Sequence, residues 1–251
     1  MQLASLGSGS KGNATLVRYE STTILVDCGF SLKQFRQRLE RLALPPEHID
    51  AIFLTHEHSD HSSGVVRLAC HYNIPLWTTR GTARSVLEKN FPYHPLRCSE
   101  TVAIGDINVL PVTVPHDADE PVQFVFEDRQ GRKLGILTDT GHITQHIINV
   151  YNQLDGLLLE FNYDQTMLEH GPYPYSVKQR VSSNLGHLSN DQSISLLQNI
   201  DTCQLKCLIA GHISECNNAQ ALVAEQLQQL SNIPAPILAD QKAGFGWIAI
   251  D

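Results

Sequence analysis

Ala51-Ile-Phe-Leu-Thr55-His56-Glu-His58-Ser-Asp60-His61-Ser-Ser-Gly64 is an apolar run that ends abruptly in three histidines and an aspartate. Ala51 to Thr55 has the length and composition of a buried strand, so the polar cluster begins where that strand leaves its sheet. Residues two apart in extended chain point the same way, which aligns His56 with His58. Asp60 and His61 follow in the turn and can face a second position. Nitrogen and oxygen donors packed this densely suit zinc, manganese or iron rather than calcium or magnesium. A solvated loop accounts for one stray histidine, but poorly for four donors straight after an apolar strand.

Outward from this stretch the same pattern recurs: a buried strand, then an acid or a histidine. Thr22 to Val26 ends in Asp27, Ile107 to Val114 in Pro115-His116-Asp117, and Lys133 to Leu137 in Thr138-Asp139. Gly156 to Leu159 closes on Glu160-Phe-Asn162-Tyr163-Asp164, and Leu205 to Ala210 on Gly211-His212. Between them the pattern predicts helices over Ser31–Leu42 (Ser31 as N-cap), Gly64–Tyr72, Gly81–Asn90, Ile143–Leu154, Ser176–Leu185, Asp191–Asn199 and Ala219–Leu230, with a strand pair to Ile250. Gly7-Ser-Gly-Ser-Lys-Gly12-Asn13 contains Gly-x-Gly-x-x-Gly, yet a strand follows it where a dinucleotide site needs a helix. It reads as a β-turn at the rim of the site, and no dinucleotide cofactor is expected.

The chain has 251 residues, 42% of them hydrophobic, enough for the core of one α/β domain. No apolar run has the length of a membrane span, and the N-terminus lacks the features of a signal peptide, so a cytoplasmic protein with no membrane partner is expected. The six cysteines have no paired short spacing and read as buried thiols of a reducing compartment. A formal charge of −8 argues against a protein that coats nucleic acid non-specifically, so any such partner must be held by a local patch.

His56-x-His58-x-Asp60-His61, preceded by Asp27 and followed in order by His116, Asp139 and His212, resembles the signature of the metallo-β-lactamase fold superfamily. The resemblance implies a four-layer αββα sandwich, here a single domain over residues 1–251 with two pseudo-equivalent halves, roughly 1–120 and 121–251. It also implies two divalent transition-metal ions. His56, His58 and His116 would hold one, and Asp60, His61 and His212 the other. Asp139 would bridge them, and Asp27 would orient the ligands from behind. Two metals about 3.5–4 Å apart can hold a hydroxide at neutral pH and stabilise the oxyanion formed when it attacks phosphorus or carbon.

Two substrate classes compete. Thioesterases and lactonases of this fold need only the metals and a shaped pocket. Phosphodiesterases commonly add a histidine in a Gly-His-x-Ser/Thr setting, which Gly186-His187-Leu-Ser189 resembles. Asp60 and His187 are therefore the candidate catalytic residues, His187 as a donor to the leaving or a non-bridging oxygen. Lys178 and Arg180, on the helix leading to it, are candidate nucleic-acid contacts. The opening Gly7 to Asn13, Pro115-His-Asp-Ala118, Tyr173-Pro174 and Asn217-Asn218 are similar to the YycJ-like branch, regarded as 5′-directed DNA exonucleases. That branch implies a nucleic-acid substrate, DNA rather than RNA. Tyr163 departs from the histidine expected in its Glu-x-Asn-His-Asp segment.

Overall fold

The computed structural model describes residues 1–251. Strands β1 (Gln2–Gly7), β2 (Ala14–Tyr19), β3 (Thr22–Val26), β4 (Ala51–Phe53), β5 (Leu76–Thr78) and β6 (His94–Pro95) build one sheet. A second contains β7 (Val102–Ile104), β8 (Ile107–Thr113), β9 (Val122–Asp128), β10 (Lys133–Leu137), β11 (Gly156–Glu160), β12 (Cys207–Gly211) and β13 (Ile237–Leu238). The last strand, β14 (Phe245–Ala249), returns to the first sheet and pairs antiparallel with β1. The expected C-terminal strand pair is thus split between the sheets. In chain order the switch from the first sheet to the second falls between β6 and β7.

Alternation along the strands makes the layers. Leu3, Val17, Ile24, Val26 and Phe53 face Phe124, Phe126, Ile136, Leu158 and Ile209 in a core between the sheets. Their neighbours Ala4, Leu16, Leu25, Ile52 and Leu54 point outward onto Phe35 and Leu39 of α1 (Leu32–Glu40). They also meet Val65 and Leu68, which follow α2 (Ser59–Ser62) in α3 (Val65–Tyr72). On the other side Leu137, Leu157, Leu159 and Leu208 meet Ile147, Leu196 and Val223. With successive side chains on opposite faces of a strand, three apolar clusters require helix, sheet, sheet, helix, which is the αββα sandwich.

Most of the helices are shorter than the hydrophobic pattern predicts. After α4 (Arg80–Val86), Leu87 turns extended, and α5 spans Gln145–Val150. A short α6 (Gln165–His170), capped by Asp164, was not expected at all. The next helix, α7 (Tyr175–Val181), stops because the Ser182 and Ser183 hydroxyls donate to the carbonyls of Lys178 and Arg180. In α8 (Asn190–Asn199) and α1 the capping residues Ser189 and Ser31 each form a full capping box, and α9 (Gln220–Gln228) precedes the final strands. No helix is long and apolar enough to cross a membrane. Only Cys28 and Cys207 are buried; Cys70, Cys203 and Cys216 are exposed thiols on the surface, against the reading of six buried ones.

Candidate metal centre

Strand direction assembles the centre. The pairs β3–β4, β10–β11 and β11–β12 are parallel, and β8 runs with β10 because two antiparallel steps separate them. Their C-terminal ends therefore lie on shared sheet edges, and those ends carry Asp27, His56, His116, Asp139, Glu160 and His212. Asp27, Asp139 and His212 adopt left-handed backbone, φ +60°, +51° and +54°, which turns the chain sharply as it leaves the strand. Non-glycine residues rarely adopt it, and such strain clusters at functional sites.

Ligand atoms of His56, His58 and His116 lie within 4.8 Å of one another, as do those of Asp60, His61 and His212. Asp139 forms a further group with His56 and His61, and another with Glu160, His187 and His212. Its Oδ2 is 3.3 Å from His61 Nε2 and its Oδ1 3.5 Å from His212 Nε2. His116 Nε2 and His58 Nδ1 approach to 3.2 Å.

The far ring nitrogens are fixed from behind. His61 Nδ1 donates to Asp27 (2.8 Å), His116 Nδ1 to the Gly186 carbonyl (2.9 Å) and His212 Nδ1 to Glu160 (3.0 Å). His56 Nδ1 donates to Thr55 Oγ1 (2.9 Å), and that hydroxyl donates to Asp27 (2.9 Å). Each of these rings therefore presents Nε2 to the cleft. His56 Nε2, His212 Nε2 and Asp139 Oδ2 are buried without any hydrogen-bond partner. Leaving such a group unpaired costs about 1–3 kcal/mol, and three of them gathered around one cleft, all of metal-ligating type, fit the ligands of a cation. The donor set, imidazole with carboxylate, fits divalent transition metals.

Electrostatics agree with that fit. Burial holds His56 well below the ordinary imidazole pKa and also lowers His116, so both have a free lone pair. Burial opposes charge on His61 and His212 too, but carboxylates prevail. Asp139 and Asp27 raise His61 well above its usual value, and Asp139 with Glu160 takes His212 to about 9. Asp139, despite burial, is held well below the carboxylate range by His212 and His61.

A cavity of about 280 Å³ opens onto this cluster, lined by His58, Asp60, Asp139, His187, His212 and Arg180, among others. His187 Nδ1 donates to Glu160 (2.8 Å) and lies 3.6 Å from Asp139. Arg180 reaches the cavity but is tied to Asp117 (2.5 Å), whose other oxygen is 3.6 Å from His58. Lys178 is not there. Its Nζ donates to the Glu169 carbonyl (2.8 Å) in a groove on the other flank of α7, because residues two apart on a helix face different ways.

Sequence reasoning left Glu160 without a role. It is 0% exposed and accepts from His187, His212, Leu188 N (3.1 Å) and Thr140 N (3.3 Å). Burial alone would raise its pKa, yet His187 and His212 bring it down to about 2. Its position as a strand-end acid was the available signal. Asn13 was likewise missed: its amide lies 2.9 Å from His61 Nε2 and 3.2 Å from Asp60. Tyr163 is buried, pairs by a backbone bridge with Ser189 and stays outside the ligand groups.

Fold and centre together define a metal-dependent hydrolase of the metallo-β-lactamase fold: residues 22–213 match the Beta-lactamase superfamily domain, and the chain belongs to that family. Within it the relatives are specific. The chain is 34% identical over 224 residues to exodeoxyribonuclease WalJ of Streptococcus pneumoniae serotype 2, an alignment covering 86% of this chain and 83% of the relative. It is 32% identical over 230 residues to exodeoxyribonuclease YycJ of Bacillus anthracis, covering 90% and 87%. Zn(2+)-bound PqqB from Methylobacterium extorquens shares the fold with a TM-score of 0.77 at 17% identity, covering 99% and 100% of the two chains.

Proposed function

We propose that this chain is a dinuclear-metal phosphodiesterase that degrades DNA from the 5′ end. The observation that carries the reading is His187. Among the imidazoles facing the cleft it adds a donor beyond the seven side chains expected to hold metal, and Glu160 fixes its ring. Residues His56, His58 and His116 would hold one ion, Asp60, His61 and His212 the other, with Asp139 shared. Zinc or manganese suits these donors best, and iron is compatible. Such a pair supplies a nucleophile at neutral pH and stabilises negative charge on the oxygens bound to phosphorus.

The chain's own groups do the rest. Asp60 is partly open to the cavity and its pKa, raised by burial but lowered more by His61, is below normal, so it can accept a hydrogen bond from the attacking water and orient it. Glu160 holds Nδ1–H of His187, which directs Nε2 to the substrate. Protonated there, His187 can donate to a non-bridging oxygen or to the departing alkoxide. Arg180 would meet the phosphate once Asp117 releases it. The relatives' names agree with a DNA substrate.

The test uses 5′- and 3′-end-labelled single- and double-stranded DNA and RNA with added manganese or zinc, beside lactone and thioester substrates. Stepwise loss from the 5′ end of DNA is expected, with little ester turnover. Rapid thioester or lactone hydrolysis without nuclease activity would refute the proposal.

A further inference from the structure

Large hydrophobic side chains are exposed at three positions in the chain: Tyr175 (75%), Val177 (38%) and Leu185 (49%). All three belong to α7 and the loop that leads from it to His187. Soluble proteins rarely gather their exposed apolar groups at one place unless something binds there. On α7, Val177, Arg180 and Val181 line the metal cavity. Tyr175, Lys178 and Gln179 line a groove of about 340 Å³ on the opposite flank. The helix is thus a ridge between the candidate active site and a second depression.

We propose that this ridge is a stacking platform for an unstacked nucleobase of a single-stranded end, with Tyr175 as the surface on which the base rests. The inference rests on the nuclease reading above and adds how the enzyme grips its strand. The Tyr175 hydroxyl accepts a hydrogen bond from Gln179 Nε2 (2.9 Å), one turn along, which orients the ring while its face stays open. Lys178 anchors α7 to α6 through the Glu169 carbonyl, so the ridge is held in place. A helix with side chains is about 10–12 Å across, so a strand with one phosphate in the cavity crosses α7 within a few nucleotides. Aromatic stacking tolerates every base, which suits an exonuclease without sequence preference. The positions of Lys178 and Arg180 fit the same path. Arg180 sits on the cavity side for the reacting phosphate, and Lys178 on the far side beside the stacked base.

The test compares kcat/KM on two single-stranded oligonucleotides that differ only at the digested end. One has normal bases and the other has tetrahydrofuran abasic residues at the first three positions. Wild type should prefer the first by roughly 5- to 150-fold, the range of one stacked base. Tyr175→Phe should keep the preference. Tyr175→Ala should lose it, cleaving both substrates at the abasic rate, with metal content and circular dichroism unchanged. Equal preference in wild type and Tyr175→Ala would overturn the platform while leaving the nuclease reading intact. A wild-type enzyme inactive on both oligonucleotides would overturn the nuclease reading and the platform with it.

Discussion

Replacing Glu160 by glutamine changes one atom of a side chain that touches no substrate, yet it should disturb both halves of the chemistry. The carboxylate accepts four hydrogen bonds, two imidazole N–H groups on Oε1 and two backbone N–H groups on Oε2. Glutamine offers one carbonyl oxygen, so whichever pair meets its NH₂ group is lost and left buried. At about 1–3 kcal/mol for each orphaned donor, roughly 2–6 kcal/mol of stability should go, which a domain of this size can bear while remaining folded. Losing a partner that orients a metal-binding histidine typically costs about 10–100-fold in metal affinity or activity. The pH response gives a separate readout. In the wild type Asp139 and Glu160 raise the His212 pKa to about 9 against the effect of burial, so metal must displace its proton and affinity should rise with pH up to there. Without the Glu160 charge the proton leaves earlier, and the plateau should move down toward the ordinary imidazole range. Thermal melting, metal titration across pH 6 to 10 and single-turnover cleavage would measure all three. A variant within about twofold of wild type in metal affinity and rate, with an unmoved plateau, would refute the role assigned to Glu160.

Three further outcomes follow from the geometry. His187→Ala should retain metal and fold but lose roughly 10²–10⁴-fold in turnover, and loss of metal on that substitution would make His187 a ligand. Arg180→Ala should weaken DNA binding and reduce the slope of log affinity against log salt by about one phosphate contact, read by fluorescence anisotropy in a salt series. Gly29→Ala would set a Cβ 1.9 Å from the Asp60 carbonyl oxygen, so the turn carrying Asp60 and His61 must move. A loss of more than about 1–3 kcal/mol in chemical denaturation, together with lost metal, is expected.

The centre was legible because its residues follow strands, and a strand that ends in a histidine or an acid announces both its period and its chemistry. Six such endings lie on the two facing sheets. Glu160 showed the same signal, but an acid after a strand does not reveal whether it faces a metal, a histidine or a helix cap. Asn13 stood in a glycine-rich turn whose local sequence says nothing of the Asp60 loop packed against it. The return of β14 to β1 joins residues more than two hundred positions apart, and no local pattern encodes such pairing. Lys178 and Arg180 look like one basic pair in the sequence because they are near neighbours, whereas a helix sends them to different grooves. Helix ends were overestimated where serine hydroxyls at Ser182 and Ser183 compete for the last carbonyls.

If two metal ions share Asp139, the metal content of the chain must depend on that carboxylate. Asn is the proper replacement, since it tolerates the left-handed backbone at this position and keeps the side-chain shape. Inductively coupled plasma mass spectrometry on dialysed protein should find close to two divalent transition-metal ions per chain. In Asp139→Asn that content should fall to one or fewer, with circular dichroism unchanged. A wild-type chain that binds no metal even after incubation with zinc or manganese, or whose content is indifferent to Asp139→Asn, would rule out a pair of ions shared through Asp139.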